Sequence, residues 1–394
     1  MSPHPPTAQR HRRFFTVDDV DVADLGALVD TVTPRDHYPN ADAIEAEVVV
    51  YDMAVERTPE QRRAVIEELA HVFSAGPGVT VMRNAVTPDV LDRATAEFEQ
   101  IIAAEKAAGV GRGDHFAAPG ANERVWNALE KLAVAAPGVF VDYYAFDALA
   151  MASTAWLGPA YQVTSQLNVV NPGGVAQSPH RDYHLGFMTD DQAQRYPTHA
   201  HLLSPMLTLQ GAVAHVDMPV ESGPTMLLPH SHRYGPGYLA WRRPEVVELF
   251  ARRHIQPVLG KGDAVFFNPA VLHGAGTNHT SGDGAIRRMG NLLQISSAMG
   301  LALEAVDRDR MCRAVLDELQ RRRADGWSRD RLDRSIAATA FGYPFPTNLD
   351  RDPPIDGLAP PSQADVLTRA VDEGWSADRF AAELDAHQNR RSTH

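Results

Sequence analysis

Gln177-Ser178-Pro179-His180-Arg181-Asp182-Tyr183-His184 places an imidazole and a carboxylate two residues apart, and Val271-Leu272-His273-Gly274-Ala275-Gly276 supplies a second imidazole far downstream. In an extended segment, residues i and i+2 share one side, so His180 and Asp182 can present ligand atoms together. Two imidazoles and one carboxylate suit Fe(II). Such a set occupies one face of the metal and leaves the other positions open for a chelating cosubstrate and dioxygen. The chain holds seventeen histidines, enough for a chance His-x-Asp pair, so context has to decide. His180 follows the turn signal Gly173-Gly174, and His273 follows a strand-like run, Ala264 to Phe267, and a short turn. That placement favours three converging ligands over satisfied core histidines.

Working outward, residues 162 to 296 break into short β-type runs punctuated by Gly, Pro, Asn and Asp, the spacing of a barrel or sandwich. Within the first run, Thr164, Gln166 and Asn168 share one face, while Val163, Leu167 and Val169 occupy the other. Two readings of the polar face stay open: a pocket lining, or a solvated edge. Upstream, Thr58-Pro59-Glu60-Gln61 combines an N-cap, a proline at the first helical position and a glutamine that can close a capping box. A helix follows to about Ser74, Ala75-Gly76-Pro77-Gly78 stops it, Val79 to Arg83 alternates as a strand, and Thr87-Pro88 opens a second helix. A further helix is expected from about Asp142 to Leu157.

Beyond Gly300 the pattern is helical, with Asp307 to Arg323 amphipathic. Gly326-Trp327-Ser328 recurs as Gly374-Trp375-Ser376, and each copy reads as a glycine stop followed by a serine N-cap. Phe341 to Pro361, rich in Pro, Asp and aromatics, is a loop that either covers the barrel mouth or straps two helices.

Composition narrows the partners. Fifty acidic against 37 basic residues give a net charge of −13, a field that repels a phosphate backbone, so nucleic acid is disfavoured and a small-molecule substrate is expected. No run approaches the roughly 18 apolar residues that span a bilayer. The opening Met1 to Arg13 is polar, reads as a mobile tail and lacks the apolar core of a secretory signal. Cys312 is the only cysteine, which rules out an internal disulfide and a multi-thiolate metal site and agrees with a reducing, cytoplasmic location.

Fourteen residues beyond His273 stands Arg287, in a strand-like run from Ile286 to Ile295. The order His-x-Asp, distal His, Arg resembles the Fe(II)/2-oxoglutarate dioxygenases, specifically the phytanoyl-CoA dioxygenase-like family. Glu221-Ser222-Gly223-Pro224-Thr225-Met226-Leu227-Leu228-Pro229-His230-Ser231-His232-Arg233 is similar to that family's turn-and-strand element, and Gly262-Asp263-Ala264-Val265-Phe266-Phe267 to one of its strand entries. The likeness spans roughly residues 70 to 300.

The resemblance implies a fold that is mainly β with flanking helices (α+β): a double-stranded β-helix, or cupin-like jelly-roll barrel, with a helical N-terminal lead-in and a helical C-terminal extension. The corresponding division is a tail and lead-in over 1–57, a jelly-roll domain with its supporting helices over 58–300, and the extension over 301–394. It implies Fe(II) held by His180, Asp182 and His273, with 2-oxoglutarate and O2 as cosubstrates and ascorbate as a helpful reductant. The reaction implied is oxidative decarboxylation to succinate and CO2, coupled to hydroxylation of an unactivated C–H bond in a specialised metabolite.

A guanidinium can grip a carboxylate through two parallel bonds, so Arg287 is expected to anchor 2-oxoglutarate. Its neighbour Arg288 competes for that role, but Arg287 shares its parity with Met289, Leu293 and Ile295. Two departures stand out. His230 occupies a position where relatives carry glycine, and Ala275 one where many carry a serine that helps bind the cosubstrate. Gln210, Asn168 and Thr225 are the candidates to replace that hydrogen bond. Gln166, His184 and Arg181 are candidate substrate contacts, while His199 and His201 are read as inert. Related halogenases have a small residue in place of the carboxylate, so Asp182 favours hydroxylation. The alternatives are desaturation or cyclisation, an acyl-CoA substrate, a metal-retaining cupin-like binding or sensing protein without turnover, and a non-redox metal enzyme.

Overall fold

Runs of Val, Phe and other strand-forming residues, separated by turn signals, build ten strands among the described residues of the computed structural model, which are 13–109 and 122–393. They are β1 (Ala43–Glu45), β2 (Val48–Asp52), β3 (Val79–Arg83), β4 (Asn122–Val125), β5 (Gln162–Val170), β6 (Thr208–Ala214), β7 (Thr225–Leu228), β8 (Ala264–Phe267), β9 (Leu272–Ala275) and β10 (Arg288–Ser296). Eight form one sheet in the order β1-β2-β3-β8-β6-β10-β5-β4, and β7 pairs with β9 in a second, smaller sheet. Only β2 and β3 run parallel; the other pairs are antiparallel.

Alternation gives the large sheet two faces of different character. One face sends Val163, Leu167, Leu209, Phe266, Met289 and Leu293 into a single apolar cluster with the surrounding helices. Fully burying a side chain such as Phe266 stabilises the fold by roughly 1.5–3 kcal/mol. The opposite face contributes Val79, Val81, Val265 and Phe267 to a second cluster, which Leu227 of the small sheet completes. The two sheets therefore face each other across a common interior, as the expected jelly-roll requires. Because β5 follows the same alternation, Thr164, Gln166 and Asn168 line that interior rather than a solvated edge.

The expected caps are present. Thr58 and Gln61 form a capping box at the start of the helix Pro59–Ser74, and Ser328 and Ser376 cap Arg329–Thr339 and Ala377–Arg391. The helix expected over 142–157 is instead two, Pro137–Tyr143 and Asp147–Leu157. The break lets Tyr143 and Tyr144 turn their hydroxyls to Asn291 Nδ2, at 3.2 and 3.1 Å.

The division near residue 57 is not an edge of the sheet, since β1 and β2 precede it and β2 pairs with β3. The C-terminal helices share the main core too: Met311, Cys312 and Val315 pack in the cluster that holds Leu129 and Phe140. The segment Phe341 to Pro361 straps helices together. Phe341 N bonds Gln363 Oε1, Asn348 Nδ2 bonds Ser392 O, and Arg391 Nη2 bonds Pro346 O. The polar tail expected over residues 1 to 13 lies, but for Arg13, outside the described residues. No helix among the described residues is long and apolar enough to cross a membrane.

Candidate metal centre and cosubstrate pocket

Backbone pairing brings the two distant stretches together. His180 N bonds His273 O at 2.9 Å, and His273 N bonds His180 O at 3.1 Å, a bridge that extends the small sheet beyond β9. The two imidazoles lie 4.4 Å apart between centroids. Asp182 N bonds Pro269 O at 3.2 Å and holds the carboxylate beside both rings. Asp182 Oδ1 lies 3.7 Å from His180 Nε2, and Oδ2 lies 3.5 Å from His273 Nε2. One ligand atom from each residue falls within 4.8 Å of the others, close enough to hold a metal ion.

The donor chemistry fits such an ion. His180 Nδ1 lies 2.9 Å from Ser178 O, and His273 Nδ1 lies 2.8 Å from Val271 O. A carbonyl only accepts, so each Nδ1 carries the proton and each Nε2 turns a lone pair toward the shared space. Gln210 Nε2 donates to Asp182 Oδ2 and fixes the carboxylate from behind. Burial raises the Asp182 pKa, but the nearby His273 and His180, which attract the carboxylate whenever they are protonated, and the Gln210 bond outweigh it and bring it down to about 2. Burial, reinforced by His273, holds the His180 imidazole below its ordinary value against the opposing pull of Asp182. An ionised carboxylate and a neutral imidazole are the forms that bind metal.

Arg287 is not where its expected role requires. It lies just before β10 with the parity of Met289 and Leu293, and that side faces the helices. Its guanidinium pairs with Glu99 and Glu123. Arg288, one residue on, belongs to the inner face and is 7% exposed. Its Nη1 reaches Ser222 O at 3.2 Å and Gly276 O at 3.4 Å, and no carboxylate pairs with it among the described residues. Burial lowers its pKa from 12.5 to about 10. Gly276 stands three residues beyond His273, about 10 Å along an extended chain. A buried cation without a counter-ion thus lies within a short dicarboxylate's reach of the ligand set.

The other expected residues divide. Thr225 lies opposite Ala275 in the small sheet, and Asn168 lies opposite Gly290 on the inner face with Oδ1 unpaired. Gln210 is committed to Asp182. Gln166 lies beside Glu304, and His184 Nδ1 meets Ser204 Oγ at 3.1 Å. Arg181 points away from the centre. It is 3% exposed, donates to Ser231 O and stacks 5.5 Å from the Tyr238 ring, so its role is structural. His201 is likewise structural, bonding Ala193 O at 3.0 Å. His230 keeps a left-handed backbone with φ +64°, the conformation glycine adopts most easily, and its Nε2 contacts Thr33 Oγ1 at 3.2 Å rather than the centre.

Sequence reasoning passed over Gln294, Tyr183 and Glu304. Gln294 is the direct partner of Gln210 across β10 and β6, and Tyr183 follows a ligand. A lone acid in the apolar run Leu301-Ala302-Leu303-Glu304-Ala305-Val306 was the available signal for Glu304.

Among solved structures, the chain is similar to the non-heme alpha ketoglutarate dependent epimerase SnoN from nogalamycin biosynthesis, with 18% identity over 60% of this chain and 82% of that one and a TM-score of 0.39. AviO1 from Streptomyces viridochromogenes Tue57 shares 20% identity over 61% and 97%, with a TM-score of 0.44. HygX from Streptomyces hygroscopicus, with nickel and 2-oxoglutarate bound, shares 15% over 64% and 92%, with a TM-score of 0.39. No curated protein matches the chain. The description of the phytanoyl-CoA dioxygenase family matches residues 75–289, over half of the chain, and spans His180, Asp182, His273 and both candidate arginines; the chain belongs to the phytanoyl-CoA dioxygenase family.

Proposed function

We propose that the chain is an Fe(II)- and 2-oxoglutarate-dependent oxygenase that hydroxylates a C–H bond of a small molecule. The observation that carries this reading is the joint presence, inside one barrel, of a three-ligand set and a buried guanidinium that no carboxylate pairs with among the described residues. His180 Nε2, His273 Nε2 and the Asp182 carboxylate would hold the metal on one side. Arg288 would meet the distal carboxylate of 2-oxoglutarate through its fork of N–H donors. Ser222 O and Gly276 O orient that fork, and Thr225, opposite Ala275, would supply the hydroxyl that position 275 lacks. Iron with bound 2-oxoglutarate would supply the oxidising power, the keto acid's decarboxylation providing electrons to activate dioxygen.

Asp182 bears on the outcome. A carboxylate that fills the third position leaves none for a halide once the keto acid and dioxygen are bound. Its ionisation and its bond from Gln210 both favour such coordination. The test is succinate formation from 2-oxoglutarate by purified chain with Fe(II) under air. Conversion that stops when Fe(II) or oxygen is withheld is expected. No conversion at any 2-oxoglutarate concentration, with Fe(II) bound, would favour a binding or sensing protein instead.

A further inference from the structure

The inner face beside Asp182 carries polar atoms that the protein leaves unpaired. Gln210, Gln294 and Thr164 stand opposite one another on β6, β10 and β5. Gln210 Oε1 and Gln294 Oε1 have no hydrogen-bond partner among the described residues. The Gln210 orientation is set by chemistry. Its amide nitrogen must face the Asp182 carboxylate, which only accepts, so the oxygen is the atom left over. One step along β5, Gln166 lies beside Glu304 and favours its ionised form. Glu304 Oε1 accepts from Asn127 N at 2.9 Å, while Oε2 is buried without a hydrogen-bond partner among the described residues. Tyr183, 2% exposed, also has a hydroxyl without a partner among the described residues.

Folded interiors pair about nine in ten such atoms, so several orphans around one centre call for a ligand that completes them. Three are acceptors, and one of these belongs to a carboxyl group. We propose that this mouth binds a substrate rich in hydroxyl or amino groups, with Glu304 as a specificity-determining residue that accepts a hydrogen bond from a substrate donor. The inference rests on the oxygenase reading for what happens after binding, but not for binding itself. An aliphatic acyl chain could use Met206, Met299 and Leu301, which are exposed on the surface. It would leave Gln210 Oε1, Gln294 Oε1 and Glu304 Oε2 desolvated and unmet, and each unmet group weakens binding about tenfold or more.

The experiment is ligand-observed NMR on the full chain with three probes: myo-inositol, glucosamine and palmitoyl-CoA. Wild type is expected to bind at least one of the first two in preference to palmitoyl-CoA, and Glu304→Ala to weaken that binding about tenfold or more. Glu304→Gln keeps the size and one accepting oxygen. It should spare myo-inositol if the partner is a hydroxyl and lose glucosamine if the partner is an ammonium group, and circular dichroism melting checks that both variants fold. Binding of palmitoyl-CoA alone, no binding of either donor-rich probe, or unchanged affinity in both variants overturns the inference. Intact, Glu304-dependent binding by a chain that consumes no 2-oxoglutarate would remove the oxygenase reading and leave this inference standing.

Discussion

Replacing Arg288 with alanine should sharply raise the 2-oxoglutarate requirement, whereas Arg287→Ala should leave it nearly unchanged. Arg288 is 7% exposed, and burial alone takes its pKa from 12.5 to about 10. At 1.36 kcal/mol per unit, that shift means the guanidinium keeps its charge at a cost on the order of 3 kcal/mol. Two bonds to carbonyls of 3.2 and 3.4 Å offset only part of it. A carboxylate docked on the guanidinium would relieve the cost. With the guanidinium gone, the docked carboxylate would be the buried, uncompensated charge, at about 3–5 kcal/mol. The half-saturating concentration should therefore rise about 10²- to 10⁴-fold, while Arg288→Lys, which keeps the charge and loses the fork, should fall in between.

Arg287 is different. Its side chain is 35% exposed and paired with Glu99 and Glu123, and exposed pairs contribute about 0–1 kcal/mol to stability. The assay is initial-rate succinate formation against 2-oxoglutarate at saturating Fe(II), alongside urea unfolding without cosubstrate. Arg288→Ala should unfold no earlier than wild type, because it removes a buried charge that lacks a counter-ion. A larger rise for Arg287→Ala than for Arg288→Ala, or no rise in either, would refute the reasoning.

Further outcomes follow from other parts of the site. His180→Ala, Asp182→Ala and His273→Ala should each abolish succinate formation and lower Fe(II) binding from one ion per chain while preserving the circular dichroism spectrum; undiminished turnover in any variant removes that residue from the ligand set. Wild type with added chloride should give no chlorinated product by mass spectrometry, whereas Asp182→Gly opens the position a halide needs; chlorination by wild type would mean Asp182 does not coordinate. His215 is fully buried between Thr95 Oγ1 at 2.8 Å and Tyr143 OH at 3.0 Å, and burial, then Lys261, lowers its pKa from 6.5 to about 3. Because the folded value lies below the unfolded one, its contribution to stability is present above pH 6.5 and lost as pH falls toward 3. Between pH 7 and 5 that amounts to about 2 kcal/mol in urea unfolding, a dependence His215→Gln should remove.

Much of the site is legible in the chain because its signals are local. His180 and Asp182 share a side through strand alternation, and the Thr58, Ser328 and Ser376 caps are read from four residues each. Arg287 shows where locality ends. The sequence correctly groups Arg287 with Met289, Leu293 and Ile295, but it does not say which side of β10 is the barrel interior. The helices, packed from distant parts of the chain, claim the more apolar side, and the interior takes the polar one. The polar face of β5 was ambiguous for the same reason. The break between Tyr143 and Asp147 was hidden because no proline or glycine marks it; the Asn291 amide, far along the chain, draws both tyrosines in.

Strand β10 carries stability and chemistry at once. Its odd-numbered residues Met289, Leu293 and Ile295 are almost fully buried against the helices, each contributing roughly 1.5–3 kcal/mol. Its even-numbered residues include Arg288, a buried charge, and Gln294, whose unmet Oε1 opposes folding by about 1–3 kcal/mol. A slip of one residue would exchange the two sets and lose both the core and the site. Asn291 guards against that slip. It is fully buried on the helix-facing side and donates to both Tyr143 and Tyr144, so a slipped strand would set Leu292 against the two hydroxyls. A polar residue in an otherwise apolar row is thus what keeps Arg288 aimed inward, at the end of the barrel interior away from Gln294 and its neighbours.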